Sequence, residues 1–319
     1  MKHRPIAASA QRGAALLTAM IIVTLVATLA SAMIWQQWRA VQVETAERAR
    51  LQSSWILSGA LDWARLILRE DAKSGGADHL GEPWAVPLAE ARLSTFLAVD
   101  KNNAEDAPDA FLSGTITDAQ SHYNLRNLVG EDNKVADLEV KALKRLFQAI
   151  NVTPELADTI ANGLRDALAP PEASARSKSV PLMPQRVSQL AWLGIDAESI
   201  QRMTPYVALL PERTAVNLNT APKEVLIAAI DGLDLGTAER LVQVRQRSPF
   251  KSIAEAKTHM PATLEPAPQR AGTVSKFFEV RGRLRLEDRV LEESSLVERR
   301  GLDIIPLSRQ RESSRESTG

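Results

Sequence analysis

A chain of 319 residues that is 45% hydrophobic is long enough for two or more domains with their own cores. Lys+Arg and Asp+Glu both total 39, so no global field draws it to nucleic acid or anionic lipid. Cysteine is absent, which excludes disulfides and thiolate metal sites and leaves the compartment undecided.

The first element is apolar. From Gly13 to Trp38 there is no charged residue, and Leu, Ile, Val, Ala and Met dominate. That length crosses a bilayer, which needs about 20 apolar residues. A cleaved secretory signal has a shorter apolar region, and bulky Ile34, Trp35 and Trp38 run straight past the small-x-small motif at Ser31 to Met33. Lys2, Arg4 and Arg12 precede the segment and hold the short N-terminal arm in the cytoplasm. After Trp38 the pattern becomes amphipathic. Ile56, Leu57, Ala60, Leu61, Trp63, Ala64, Ile67 and Leu68 share one side of a helix, and Asp62, Arg65 and Arg69 share the other. With no Pro between Pro5 and Pro83, one helix is expected from about Ala14 to Glu70. Its first half requires lipid and its second half a protein core.

Further on, residues 72–87 are turn-rich, and 88–99 fit a helix or a strand. DKNNAEDAP (100–108) is polar and acidic, and 112–117 read as a strand. From Lys134 to about Lys257 the pattern is helical, interrupted by the linker PPEASARSKSVPLMPQR at 170–186. Beyond Pro268 the period becomes two. Phe278, Val280, Gly282, Leu284 and Leu286 share one face, with Glu279, Arg281, Arg283 and Arg285 on the other, as in a half-buried antiparallel strand. Short strands are expected at 294–299 and 302–307, followed by a disordered tail at 309–319. The order helix, strand, helical block, strands predicts an α+β fold in which a helical domain is inserted into a helix-plus-sheet domain.

The helical block contains a weak repeat. VTPELADTI (from Val152), IDAESIQRM (from Ile195) and LDLGTAERL (from Leu233) align without gaps, each with a Thr or Asp at a helix-capping position. The third copy lies in a stretch similar to helix-hairpin-helix modules, which bring backbone N–H groups to phosphate through a Gly-apolar-Gly turn. Gly232 is present, but Asp234 replaces the second glycine and Asp231 adds another negative charge, so a structural hairpin is the expectation. Asn217, Asn219, Thr220 and Pro222 read as the capping turn of its first helix.

Enzyme readings find little support. His3, His79, His122 and His259 are widely separated, and GxSxG, P-loop and GxGxxG motifs are absent. His122 beside Tyr123 reads as a packing pair at a strand end, and Trp55, Trp63 and Trp84 read as core. Asp100, Glu105, Asp106 and Asp109 are weak calcium candidates without EF-hand spacing; no other cofactor is indicated.

Two resemblances carry more. The basic leader ending at Gly13, followed by Ala14 and an apolar helix, resembles the type IV pilin signal. That class implies peptidase cleavage between Gly13 and Ala14 and methylation of the new terminus. Thr18 stands where most pilins have Glu at the fifth mature position, a departure suited to a filament tip that has no neighbour's amine to meet. Together with DAQSHYNLRNL (118–128), VNLNTAPKEVL (216–226) and RSPFKS (247–252), the chain resembles the K-type minor pseudopilins of type II secretion, from Gly13 to about Arg300.

The resemblance implies a pilin-like long N-terminal helix on a small antiparallel sheet, with a large inserted all-α domain of SAM/helix-hairpin-helix-like hairpins. The expected parts are a leader (1–13), the membrane or filament half of the helix (14–38), a first pilin-like part (39–130), the helical domain (131–272), closing strands (273–308) and the tail (309–319). It implies a structural subunit at the tip of a periplasmic pseudopilus that supports export across the outer membrane. The implied partners are I-, J- and H-type minor pseudopilins, the prepilin peptidase and the inner-membrane platform, with no nucleic acid. The implied location is a single-pass inner-membrane protein with a periplasmic bulk. Trp55, Ile56 and Trp63 are the candidate partner-binding residues. The alternative is a membrane-anchored helix-hairpin-helix protein of DNA uptake, which would need a basic face and an intact glycine turn.

Overall fold

A computed structural model describes residues 11–93, 110–169, 181–286 and 289–315. The chain divides into two compact units, Met1–Ile56 and Leu57–Gly319. Helix α1 (Gln11–Ser74) begins in the first and ends in the second. In the first unit the large apolar side chains of α1 are exposed, from Leu16 and Ile22 to Trp38 and Leu51. The Thr18, Thr24 and Thr28 hydroxyls donate to carbonyls of the same helix three or four residues back, so none demands an outside partner.

In the second unit Leu57, Leu61, Ala64 and Leu68 of α1 are buried at helical spacing. They meet a five-stranded sheet of order β1-β2-β7-β8-β9, antiparallel at every pairing. Its strands are β1 (Leu88–Arg92), β2 (Ala110–Asp118), β7 (Phe277–Leu286), β8 (Arg289–Arg300) and β9 (Asp303–Arg315). Leu61, Ala64 and Leu68 form one core with Trp84, Phe278, Val280, Val297 and Ile304. Burying a leucine fully contributes roughly 1.5–3 kcal/mol, so the three leucines of this stripe suffice to hold the helix to the sheet. Gly282 marks a close approach, since a Cβ there would lie 3.3 Å from Leu57 Cδ2.

The period-two reading of β7 is correct: Phe278, Val280 and Leu284 are buried, and Arg281 and Arg283 are exposed. Three expectations require correction. Trp63 is 50% exposed and Trp55 78%, while Trp84 alone of the three is buried. The buried stripe of α1 is narrower than the apolar face: Leu57, Leu61, Ala64 and Leu68 meet the sheet, and Trp63 lies to the side of that stripe. The residues 309–315 extend β9, pairing in register with β8 as far as Arg289↔Arg315. Arg309 and Arg311 both reach the buried Glu293 (3.0 and 2.5 Å), so charges that read as a solvated tail are neutralised across the strands. Strand β8 (Arg289–Arg300) is likewise longer than the 294–299 expected.

The helical domain interrupts the sheet between β2 and β7. Its helices are α2 (Asp137–Ala149), α3 (Leu156–Ala167), α4 (Ala197–Met203), α5 (Lys223–Ala229), α6 (Leu235–Arg247) and α7 (Ile253–Lys257). Short parallel pairs β3 (Tyr123–Asn124) with β4 (Val207–Ala208), and β5 (Val216–Asn217) with β6 (Ala271–Gly272), tie its ends together. One continuous core runs through it, including Leu143, Phe147, Ile160, Met203, Leu226, Leu241 and Phe250. The repeat is visible in burial: Ile160, Met203 and Leu241 are all buried. Asp196 and Asp234 cap their helices by accepting from the Ser199 and Thr237 N–H groups. In the first copy Thr153 makes no such cap; Glu155 precedes the helix without a side-chain bond.

Candidate functional site

The Leu57–Gly319 unit concentrates its charged chemistry where α1 ends. Gly75 and Gly76, both at positive φ, turn the chain out of the helix into a strap that bonds to the segment just before β7. The strap is pinned through Asp78. Its N–H donates to Thr273 O (2.8 Å), its Oδ2 accepts from Ser275 N (2.6 Å), and its carbonyl accepts from Asn217 Nδ2 (3.1 Å). Arg299 on β8 reaches in from the sheet, donating to Asp71 Oδ2 (2.8 Å), to Asp78 Oδ2 (2.6 Å) and to Ser275 O (2.7 Å). Its guanidinium lies over the Phe278 ring, 4.9 Å from the centroid. Glu82 Oε2 accepts from the Trp84 indole N–H (2.7 Å) and from His79 N (2.9 Å). Asp71, Asp78 and Glu82 place one oxygen each within 4.8 Å of one another. The Asp71 carboxyl is pushed up to about 6, first by burial and then by Glu82 and Asp78, with Arg299 opposing. Burial also raises Asp78, against the hydrogen bond from Arg299. An open crevice of about 600 Å³ adjoins the cluster, with Lys276, Arg300 and Gly301 on its wall.

A second carboxylate joins this cluster to the helical domain. Asp118, at the end of β2, is 2% exposed and has four donors: Thr220 Oγ1 (2.6 Å), Ser275 Oγ (2.7 Å), Asn217 Nδ2 (2.9 Å) and Gln120 N (2.8 Å). Burial raises its pKa, and the bonds from Thr220, Ser275, Gln120 and Asn217 counter it. Asn217 and Thr220, expected in a capping turn, instead bind Asp118, and Asn219 bridges Phe250 N and O (2.8 and 2.9 Å). A buried amide or carboxylate without partners is costly, so these side chains hold the inserted domain in one arrangement with respect to the sheet.

The hairpin between α5 and α6 keeps Gly232 at φ +76°. Its carbonyls at Ile227 and Ala228 accept from Arg145, which also pairs with Asp231 at 2.9 Å. Asp234 is the N-cap of α6. The turn that would face phosphate is therefore occupied by the protein's own carboxylates.

A curated relative from Klebsiella pneumoniae, named type II secretion system protein K, is 31% identical over 280 residues, covering 80% of this chain and 79% of the relative. The chain belongs to the type II secretion system protein K family. A Pseudomonas aeruginosa protein K is 27% identical over 310 residues, covering 88% of this chain and 86% of its own length. Two family models described as type II secretion system, protein K match residues 121–212 and 216–273, which take in most of the helical domain. A solved structure, the GspK-GspI-GspJ complex of enterotoxigenic Escherichia coli, matches with a TM-score of 0.63 at 20% identity, covering 84% of this chain and 99% of that chain. That likeness shows the fold: a pilin-like long helix and antiparallel sheet with an added helical domain. As a K-family protein the chain is a minor pseudopilin of type II secretion, and the DNA-uptake alternative has no support among these relatives.

Of the residues singled out from the K-family sequence, Trp55, Ile56 and Trp63 lie on α1, with Ile56 half-buried and the two tryptophans exposed. Thr18 is exposed on α1. Gly13 lies within α1, and the calcium candidates Asp100, Glu105, Asp106 and Asp109 lie outside the described residues. Sequence reasoning missed Asp71, Asp78, Glu82, Asp118, Ser275 and Arg299. The one available signal was a pair of acids flanking a Gly-Gly turn, and their cation lies 221 residues from Asp78.

Proposed function

We propose that this minor pseudopilin caps the pseudopilus, bound to I- and J-type minor pseudopilins, with H-type subunits and the inner-membrane platform as further contacts. The observation that carries the reading is the outward side of α1 in the second unit. Beside the stripe buried on the sheet, Trp63 is 50% exposed and Leu66 51%. Large apolar groups left on the outside of an otherwise satisfied helix fit a partner surface. The solved K-family relative is named as a complex with GspI and GspJ, which supports the choice of partner. Trp55 and Ile56 offer further apolar contact from the first unit.

The apolar part of α1 is long and apolar enough to cross a membrane by length and composition. Cleavage between Gly13 and Ala14 by the prepilin peptidase, followed by methylation, would leave that helix as the new N-terminus. The Thr18 hydroxyl donates to Ala14 O and Ala15 O, both 3.0 Å, so position 18 needs nothing from a neighbour. A shaft subunit with acid at that position would have to match an incoming amine; an end subunit does not. The inserted helical domain widens the outline beyond a slim pilin and suits an end in the same way. Catalysis is not part of the reading, and the bulk of the chain is assigned to the periplasm.

The test is to combine the portion from Arg39 onward with the soluble domains of its I- and J-type partners and measure the mass by light scattering. A 1:1:1 complex is expected. Separate monomers, or an open-ended homopolymer of this chain alone, would remove the tip assignment. The DNA-uptake reading is tested by titrating the same portion with duplex DNA. No salt-dependent binding is expected, because Asp231 and Asp234 fill the hairpin turn.

A further inference from the structure

We propose that Asp71 and Glu82 share one proton, and that this proton latches the C-terminal end of α1 to the strap formed by residues 75–82. The geometry sets the demand. Three carboxylates, Asp71 from α1 and Asp78 and Glu82 from the strap, converge within 4.8 Å. One cation enters among them, Arg299 from β8, and it is bonded to Asp71 and Asp78. The other cations of the crevice wall are held elsewhere: Lys276 by Glu212 (2.5 Å) and Arg300 by Glu298 (2.7 Å). The Asp71 and Asp78 side chains are only 10% and 3% exposed, so water cannot disperse the excess charge. A proton on Asp71, donated to the Glu82 carboxylate, removes one of the two uncompensated charges and adds a bond between helix and strap.

Asp71 is raised to about 6 for these same reasons, which places the release of the proton near neutral pH. When the proton leaves, Asp71 and Glu82 repel each other across the Gly75–Gly76 turn. That turn is held to the helix by the Gly75 N–H to Asp71 O bond (3.2 Å). The strap is then free to part from α1, while Asp78 stays with Arg299 and Ser275. The latch acts on the last turn of the helix that the proposed function uses for assembly, but it stands on this cluster alone.

Trp84 is the reporter. Its indole N–H donates to Glu82 Oε2, and its ring is buried edge-on to Phe278, 5.2 Å between centroids. The experiment records the indole N–H resonances of the full chain in detergent micelles across pH, with Trp84→Phe identifying the signal. The expected result is a titration of the Trp84 resonance with a midpoint near 6, absent in Asp71→Asn and absent in Glu82→Gln. A Trp84 signal that does not move across this range overturns the proposal. So does a titration that persists unchanged in either folded variant. If Asp71→Asn does not fold, Glu82→Gln decides alone, because its amide oxygen still accepts from Trp84 and His79. A titration that vanishes on adding EDTA would mean that a bound metal, not a proton, joins the carboxylates, and would also overturn it. Loss of the 1:1:1 complex would leave this measurement untouched.

Discussion

Two lengths of one helix differ in how their apolar surface is satisfied. Between Leu16 and Leu51, α1 exposes its apolar side chains all round. Between Leu57 and Leu68, four residues on one stripe are buried on the sheet while Trp63 and Leu66 remain outside. Helical geometry is the same in both, so secondary structure is not what separates them. The first length depends on a surrounding that the chain does not provide, and the second carries its own core. An apolar helix is therefore two kinds of element, distinguished by whether a sheet is close enough to cover it.

The sharpest way to break this comparison is to truncate one leucine in each length. Leu68→Ala removes a side chain that is 0% exposed and should destabilise the Leu57–Gly319 unit by about 2–5 kcal/mol. Leu25→Ala, at a residue 58% exposed, should leave the thermal melting of that unit unchanged. Equal losses in the two melts would show that the first length also packs on protein.

Trp63→Ala gives the next effect. Stability should change by less than about 1 kcal/mol, because half the side chain is already in water. Association with the I- and J-type partners should weaken by about 2 kcal/mol, as for an aromatic anchor at an interface. Isothermal titration of the variant beside the parent measures both the loss and its size; an unchanged affinity would restrict partner contact to other faces of the helix.

In the first length the decisive change is Gly13→Glu, which puts a bulky charge at the proposed peptidase site. N-terminal mass analysis of membrane-extracted protein should give a chain beginning at Ala14 for the parent and an uncut chain for the variant. An intact parent, or a cut near Ala32, would separate this helix from the pilin class.

The smallest effect lies at the end of the second length. In the fold, burial and then the Glu82 and Asp78 charges push the Asp71 carboxyl up to about 6 from its usual 3.8. Its contribution to stability is therefore fully present below 3.8 and is lost as the pH rises through about 6. Glu82→Gln removes the neighbouring charge, so it should flatten this decline and raise the melting temperature relative to the parent above pH 6, by a few degrees at most. Melting curves across pH would show it, and parallel curves for the two proteins would mean that Glu82 does not govern Asp71.

Much of this molecule was legible in its sequence because periodicity is a local property. The apolar run to Trp38, the period-two alternation of Phe278 to Leu286 and the capped helices at Asp196 and Asp234 all follow from spacing along the chain. The family motifs at 118–128 and 216–226 were legible as words, but their physical task was not. Asp118, Asn217 and Thr220 meet in one buried network although Asp118 and Thr220 lie 102 residues apart. The 309–315 stretch misled for the same reason. Arg309 and Arg311 look solvated until β8 brings Glu293 beside them.

The sequence by itself determined the long helix, its change from uniformly apolar to amphipathic, the insertion of a helical domain and the absence of thiol chemistry. Only the tertiary structure decided which side of α1 faces the sheet, leaving Trp63 out and Trp84 in. It alone brought Arg299 to Asp71 and Asp78, and Asp118 to the helical domain. The reason is physical: hydrophobic spacing acts between residues a few positions apart, whereas burial of a charge depends on which distant groups can reach it.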